Sequence, residues 1–157
     1  MMGFFYDVNH QNDMDDHEIE ILIVEDNPYD ADLAIPALRK QNLANSVVHL
    51  SDGATALDFI FGTGQYKGRN IGYTPEVIFL DIKMPKVSGL EVLQKVKSDQ
   101  RTKSIPVVMV TSSAEDPDVK RSYELGANGY IVKPVEFENF AKTISMLGFY
   151  WMVIKKT

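Results

Sequence analysis

The sequence predicts an α/β fold, (βα)5, with five parallel strands doubly wound and helices on both faces. Three observations predict it. Five short apolar runs, at 19–24, 46–50, 76–80, 105–110 and 129–132, read as strands buried on both sides. Each is followed by a stretch of helical periodicity, and right-handed crossovers then build a parallel sheet covered on both faces. Three of the runs end in charged residues: Glu25-Asp26, Asp81 and Lys133-Pro134. In an open parallel sheet, ligands bind at the carboxyl ends of the strands.

The elements follow in order. Residues 1–18 are polar and acidic after a short aromatic start, and read as a poorly ordered arm. After the first strand, Asn27 caps a helix that opens on Pro28 and runs to about Asn42. Pro36 falls inside it and predicts a kink. Ser51-Asp52-Gly53 starts the second helix, with Leu57, Ile60 and Phe61 on one face. Four glycines in the twelve residues 62–73 mark a loop. Ser88 and Glu91 form a capping box for a helix that turns Leu90, Leu93 and Val96 inward. The fourth helix covers about 117–125 and stops at Gly126. The last carries Phe137, Phe140, Ala141, Ile144 and Leu147 as one stripe.

The chain of 157 residues fits one domain with a tail, and no internal repeat is visible. A net charge of -6 argues against a nucleic-acid-binding surface, which is usually basic. With no cysteine, disulfides and thiol chemistry are excluded, and an intracellular, cytoplasmic setting is expected. The N-terminus lacks the basic and long apolar regions of a signal peptide. No apolar run reaches the roughly 18 residues that a membrane span needs.

The charged strand ends share one chemistry. An aspartate can attack phosphorus only if the repulsion between two anions is cancelled. Mg²⁺ does this through oxygen ligands, one or two of them carboxylates. Asp26 is a candidate direct ligand and Glu25 a ligand through water; Asp81 is a candidate ligand and nucleophile. Lys133 offers a positive charge to a phosphoryl oxygen, and Thr111 a hydroxyl to another. Alone, each residue has a plainer explanation: a helix N-terminus that favours acids, a turn aspartate, a solvated lysine, a local threonine bond. Their arrangement at successive strand ends is what points to a site.

At this point the chain resembles the response-regulator receiver domains of two-component signalling, over about residues 19–147. The resemblance rests on Ile21-Leu22-Ile23-Val24-Glu25-Asp26-Asn27, Leu80-Asp81-Ile82-Lys83-Met84-Pro85 with Gly89, Val110-Thr111-Ser112-Ser113, and Gly126-Ala127-Asn128-Gly129-Tyr130-Ile131-Val132-Lys133-Pro134. It implies a flavodoxin-like sheet of strand order 2-1-3-4-5. It implies that Asp81 accepts a phosphoryl group from a histidine kinase or phosphotransfer protein. It implies Mg²⁺ (or Mn²⁺) on Glu25, Asp26, Asp81 and the backbone carbonyl of Lys83, with Thr111 and Lys133 on the phosphoryl oxygens. A cis bond between Lys133 and Pro134 is implied too. So is a switch in which Thr111 moves toward the phosphate and Tyr130 turns inward, changing a partner-binding surface.

The glycine-rich 62–73 loop resembles a subgroup of stand-alone receivers that includes partners of phytochrome-type photoreceptor kinases. Kinase recognition and a tolerated surface insertion both account for it. Ser88 stands where the family often has an acid. Residues 148–157 include the apolar run Phe149-Tyr150-Trp151-Met152-Val153-Ile154. Such a tail is expected to extend the last helix and pack on a second copy, giving a homodimer, or on its own domain. With little chain after 147, output is expected to pass through an unidentified downstream protein, or onward as a phosphorelay shuttle.

Two other classes compete. A flavodoxin-like FMN carrier would want a neutral phosphate loop after the first strand, where this chain has Glu25 and Asp26. An aspartyl-phosphate phosphatase would resemble its class in a second acid two residues after the nucleophile, where this chain has Lys83. A switch with slow self-dephosphorylation is therefore expected rather than a turnover enzyme.

Overall fold

A computed structural model of the chain describes residues 21–39 and 46–146. The N-terminal arm, residues 19–20, the expected helix end at 40–42, Leu147 and the apolar tail lie outside the described residues.

The order is β1 (Ile21–Val24), α1 (Pro28–Arg39), β2 (Val47–Leu50), α2 (Gly53–Phe61), β3 (Val77–Asp81), α3 (Gly89–Ser98), β4 (Val107–Thr111), α4 (Pro117–Glu124), β5 (Gly129–Val132) and α5 (Phe137–Met146). The strands form one parallel sheet of order β2-β1-β3-β4-β5. This is the expected order, with the crossover direction reversing between β1 and β3. Two strand assignments slide toward the C-terminus: β3 takes in Asp81 and β4 takes in Thr111, so both side chains spring from the last residue of a strand.

The sheet separates two cores. On one face Ala56, Phe59 and Ile60 of α2, Val92, Leu93 and Val96 of α3 and Val119 of α4 pack on Leu22, Val24, Ile78, Leu80 and Met109. On the other, Ala31, Ala34, Ile35 and Leu38 of α1 and Phe140 of α5 pack on Ile21, Ile23, Phe79, Val108 and Ile131. Phe140 is fully buried and lies 5.4 Å from Phe79 between ring centroids; truncating such a ring to Ala costs about 3–5 kcal/mol.

The α2 stripe differs from expectation. Ala56, Phe59 and Ile60 are buried, whereas Leu57 and Phe61 are only partly covered. The reason is Arg69, whose Nε donates to the Phe59 carbonyl at 2.7 Å and whose guanidinium lies 4.2 Å over the Phe59 ring. Tyr66 meets the same ring edge-on at 5.0 Å. The glycine-rich loop is thus fastened to α2 at Phe59, and again at Asp58, which accepts the Thr63 hydroxyl at 2.8 Å and, at its carbonyl, the Thr63 N–H at 2.9 Å.

Pro36 sits inside an unbroken α1. It and Asp32, whose carbonyl it leaves without a helical donor, are exposed, so water can reach that carbonyl. The capping box of α3 forms as expected, with Ser88 N–H donating to Glu91 Oε1 at 2.8 Å and Glu91 N–H to Ser88 Oγ at 3.3 Å. Leu93 and Val96 of that helix are buried and Leu90 is partly so.

Candidate functional site

Strand register brings the charged residues to one end of the sheet. Val24 pairs with Leu80, Asp81 with Val110, and Thr111 with Val132. Glu25, Asp81, Thr111 and Lys133 therefore stand on or next to the last rungs of four neighbouring strands. Glu25 N–H donates to the Leu50 carbonyl at 3.0 Å and Lys133 N–H to the Thr111 carbonyl at 2.8 Å, carrying the ladder one residue past β1 and β5. The Lys133–Pro134 peptide is cis, as the resemblance implied.

Gly89 is needed for the third side of the site. A Cβ there would overlap the Asp81 carbonyl oxygen, so the start of α3 can press against the β3 end only without a side chain. The Gly89 N–H donates to the Ile82 carbonyl at 2.9 Å, holding that approach.

Oxygens of Glu25, Asp26 and Asp81 all lie within 4.8 Å of one another. Glu25 and Asp81 are buried, at 5% and 4% exposure, while Asp26 is partly open. Lys133 Nζ stands 3.2 Å from Glu25, 3.0 Å from Asp30 and 3.3 Å from Asp81. Glu25 also accepts the Asn27 N–H at 3.1 Å. Burial, then the Glu25 charge and hydrogen bonding with Glu25 and Asp26, push the Asp81 carboxyl from 3.8 up to about 8, against the pull of Lys133. Burial also disfavours the Lys133 charge, but the Asp30 bond and the charges of Glu25 and Asp81 outweigh it and raise the lysine pKa.

Three carboxylates thus face one ammonium, and a fourth, Asp26, lies beside two of them. A cluster in which one acid is driven toward its neutral form is short of positive charge. An all-oxygen donor set with one open side fits a hard divalent cation such as Mg²⁺.

Two side chains near the site make bonds of their own, and that of Lys83 is not the backbone carbonyl expected to serve the cation. The Thr111 hydroxyl donates to the Ser113 carbonyl at 3.1 Å and accepts the Ser113 N–H at 3.3 Å, a local turn bond. Lys83 sends its ammonium to Asp116 and Asp118 at the start of α4, 3.4 and 3.6 Å away. Tyr130 is half-buried, edge-on to Tyr123 at 6.3 Å. Asp30 was missed by sequence reasoning. Its one signal was an acid in the first turn of α1, which the helix dipole already explains.

The model of the response regulator receiver domain matches residues 21–145 of this chain. The chain belongs to that family. The receiver is similar to the bacteriophytochrome response regulator AtBRR, with 54% identity and a TM-score of 0.77 over 85% of this chain and 94% of the other. It is 33% identical to response regulator Rcp1 of Synechocystis over 84% of this chain and 88% of that protein. The Mn²⁺-bound form of Rcp1 superposes with a TM-score of 0.69, covering 85% of this receiver and 94% of the other chain. Among the described residues, no helix of the receiver is long and apolar enough to cross a membrane.

Proposed function

We propose that this receiver is a Mg²⁺-dependent phosphoryl-accepting switch with Asp81 as the acceptor. The observation that carries the reading is the juxtaposition of Lys133 Nζ, 3.3 Å from Asp81, with the three-carboxylate group. Glu25, Asp26, Asp81 and the Lys83 carbonyl would hold the cation. When bound, it would cancel the anionic repulsion that opposes attack.

An Asp81 carboxylate oxygen attacks the phosphorus of a phosphohistidine whose other ring nitrogen is protonated; the O–P bond forms as the N–P bond breaks, and the imidazole leaves neutral with the proton it already carried. Lys133 shifts from pairing with carboxylates to hold a phosphoryl oxygen, and Thr111 gives up Ser113 to donate to another. That exchange, followed by Tyr130, would reset the α4-β5-α5 surface for a protein partner. Self-phosphorylation from small donors and slow self-dephosphorylation use the same groups.

The donor is a sensor histidine kinase or phosphotransfer protein, and the likeness to the bacteriophytochrome response regulator AtBRR favours a phytochrome-type kinase. Residues 148–157, following α5, would pair two copies. Removing them is expected to delay elution in gel filtration at matched concentration, and an unchanged volume would refute that role.

The test of the main reading is incubation with Mg²⁺ and a small acyl-phosphate donor, read by intact mass. One phosphoryl group is expected on the parent and none on Asp81→Asn. A label that survives this substitution would remove Asp81 as acceptor.

A further inference from the structure

We propose that His49 is a positioning residue for the cation-holding acids, through the Glu25 backbone. The inference rests on the reading that Glu25 serves a cation. His49 is 5% exposed on β2, opposite Ile23 in register. Strand alternation puts it on the same face as Val47, among apolar neighbours. Its Nε2 lies 3.0 Å from the Glu25 carbonyl oxygen. A carbonyl only accepts, so Nε2 carries the proton and donates. Nδ1 is buried and, among the described residues, without a partner.

The bond replaces a rung that the sheet cannot supply. Glu25 N–H reaches the Leu50 carbonyl, but Leu50 is the last residue of β2, and beyond it the chain turns into the Asp52 cap of α2. No further β2 strand amide follows to meet the Glu25 carbonyl. The imidazole does so instead, and both backbone polar groups of Glu25 are tied to β2 one residue past the end of β1. From that fixed backbone the carboxylate meets Lys133, Asn27 N–H and the acidic group.

Stability alone does not explain a histidine here. An orphaned buried acceptor costs about as much as one hydrogen bond returns, or more, so a valine, which would lose the Nδ1 orphan and leave the Glu25 carbonyl without this donor, would come out about even. What the imidazole adds is a fixed position for Glu25.

The test compares the parent with His49→Leu and His49→Gln, whose amide can still donate. Two quantities are read: Mg²⁺ affinity by calorimetry, and hydrogen exchange of the Asn27 amide without metal, which reports where the Glu25 carboxylate sits. His49→Leu is expected to weaken Mg²⁺ binding by about 10-fold, the low end of losses on disturbing a ligand's support. Asn27 exchange should quicken similarly, while Val108 at the sheet centre stays protected; His49→Gln should lie near the parent. Parent-like Mg²⁺ affinity and Asn27 exchange in His49→Leu would overturn the proposal. So would equal losses in His49→Gln and His49→Leu. Should His49→Leu not fold, His49→Met, which fills the space without a donor, is read in its place. If the parent binds no Mg²⁺, the functional reading falls, and Asn27 exchange still decides whether His49 positions Glu25.

Discussion

Lys97 and Lys133 are both partly buried lysines, at opposite ends of the same sheet. Lys97 reaches from α3 to the entry of β4 and β5, donating to the carbonyls of Lys103 and Ile105 and to Asn128 Oδ1 at 3.1, 2.7 and 3.2 Å. Every acceptor is neutral, so burial goes uncompensated and pulls its pKa down. Lys133, at the exit of β5, faces Glu25, Asp30 and Asp81, which outweigh its burial and raise its pKa. Similar burial has opposite electrostatic results because the acceptors differ. The Lys97 end joins three segments through neutral acceptors and, among the described residues, gathers no carboxylate. The Lys133 end holds more negative charge than one lysine can balance, and there a cation and a phosphoryl group have something to act on.

The sharpest way to break this contrast is to remove each ammonium. Lys133→Met should lower Asp81 labelling by about 100-fold or more, the scale of losing a charge-stabilising donor. Lys97→Met should leave labelling unchanged. Equal losses in intact-mass time courses would erase the distinction. Gly89→Ala attacks the same end sterically. Its Cβ would overlap the Asp81 carbonyl, and a cost of about 3 kcal/mol or more in urea unfolding is expected.

The next effect is on pH. With a folded value of about 8 against 3.8 unfolded, Asp81 holds a proton in the native state that the unfolded chain has released. Stability of the metal-free protein should therefore fall as pH rises from about 4 to 8. Asp81→Asn and saturating Mg²⁺ should each flatten the trend, with Tm moving about 2–4 °C per kcal/mol at this size. A melting series in EDTA that rises over that range would contradict the assignment of strain to Asp81. Lys97→Met is smaller, about 1–3 kcal/mol, from buried carbonyls left short of a donor. Smallest is Lys83→Ala. Its two ion pairs join an exposed ammonium to α4, and such pairs contribute about 0–1 kcal/mol; a larger loss by thermal melting would give that contact unexpected weight.

Much of this was legible because it is written locally. The apolar runs Ile21-Leu22-Ile23-Val24 and Val107-Val108-Met109-Val110 announce buried strands, and their polar exits announce the site. Strand order and the cis Lys133–Pro134 bond came from family resemblance rather than periodicity. What stayed hidden are contacts between distant residues. Asp30 meets Lys133 across 103 positions. His49 sits in an apolar strand and looks like filler until its bond to Glu25 is known. Phe59 was passed over because helical spacing alone cannot choose between Phe59 and Phe61; the Arg69 contact chooses. The two ends of Lys83 also separate: the sequence bears on its backbone, while Asp116 and Asp118 decide its side chain.

The central claim is that Glu25, Asp26 and Asp81 form a deficit of positive charge that one divalent cation fills. Calorimetric titration of the metal-free protein with Mg²⁺ at pH 8 tests it directly. One saturable site is expected, weakened at least about tenfold in Asp26→Asn, since removing a ligand should cost no less than disturbing its support. Absence of a saturable site, or parent-like affinity in Asp26→Asn, would contradict the account.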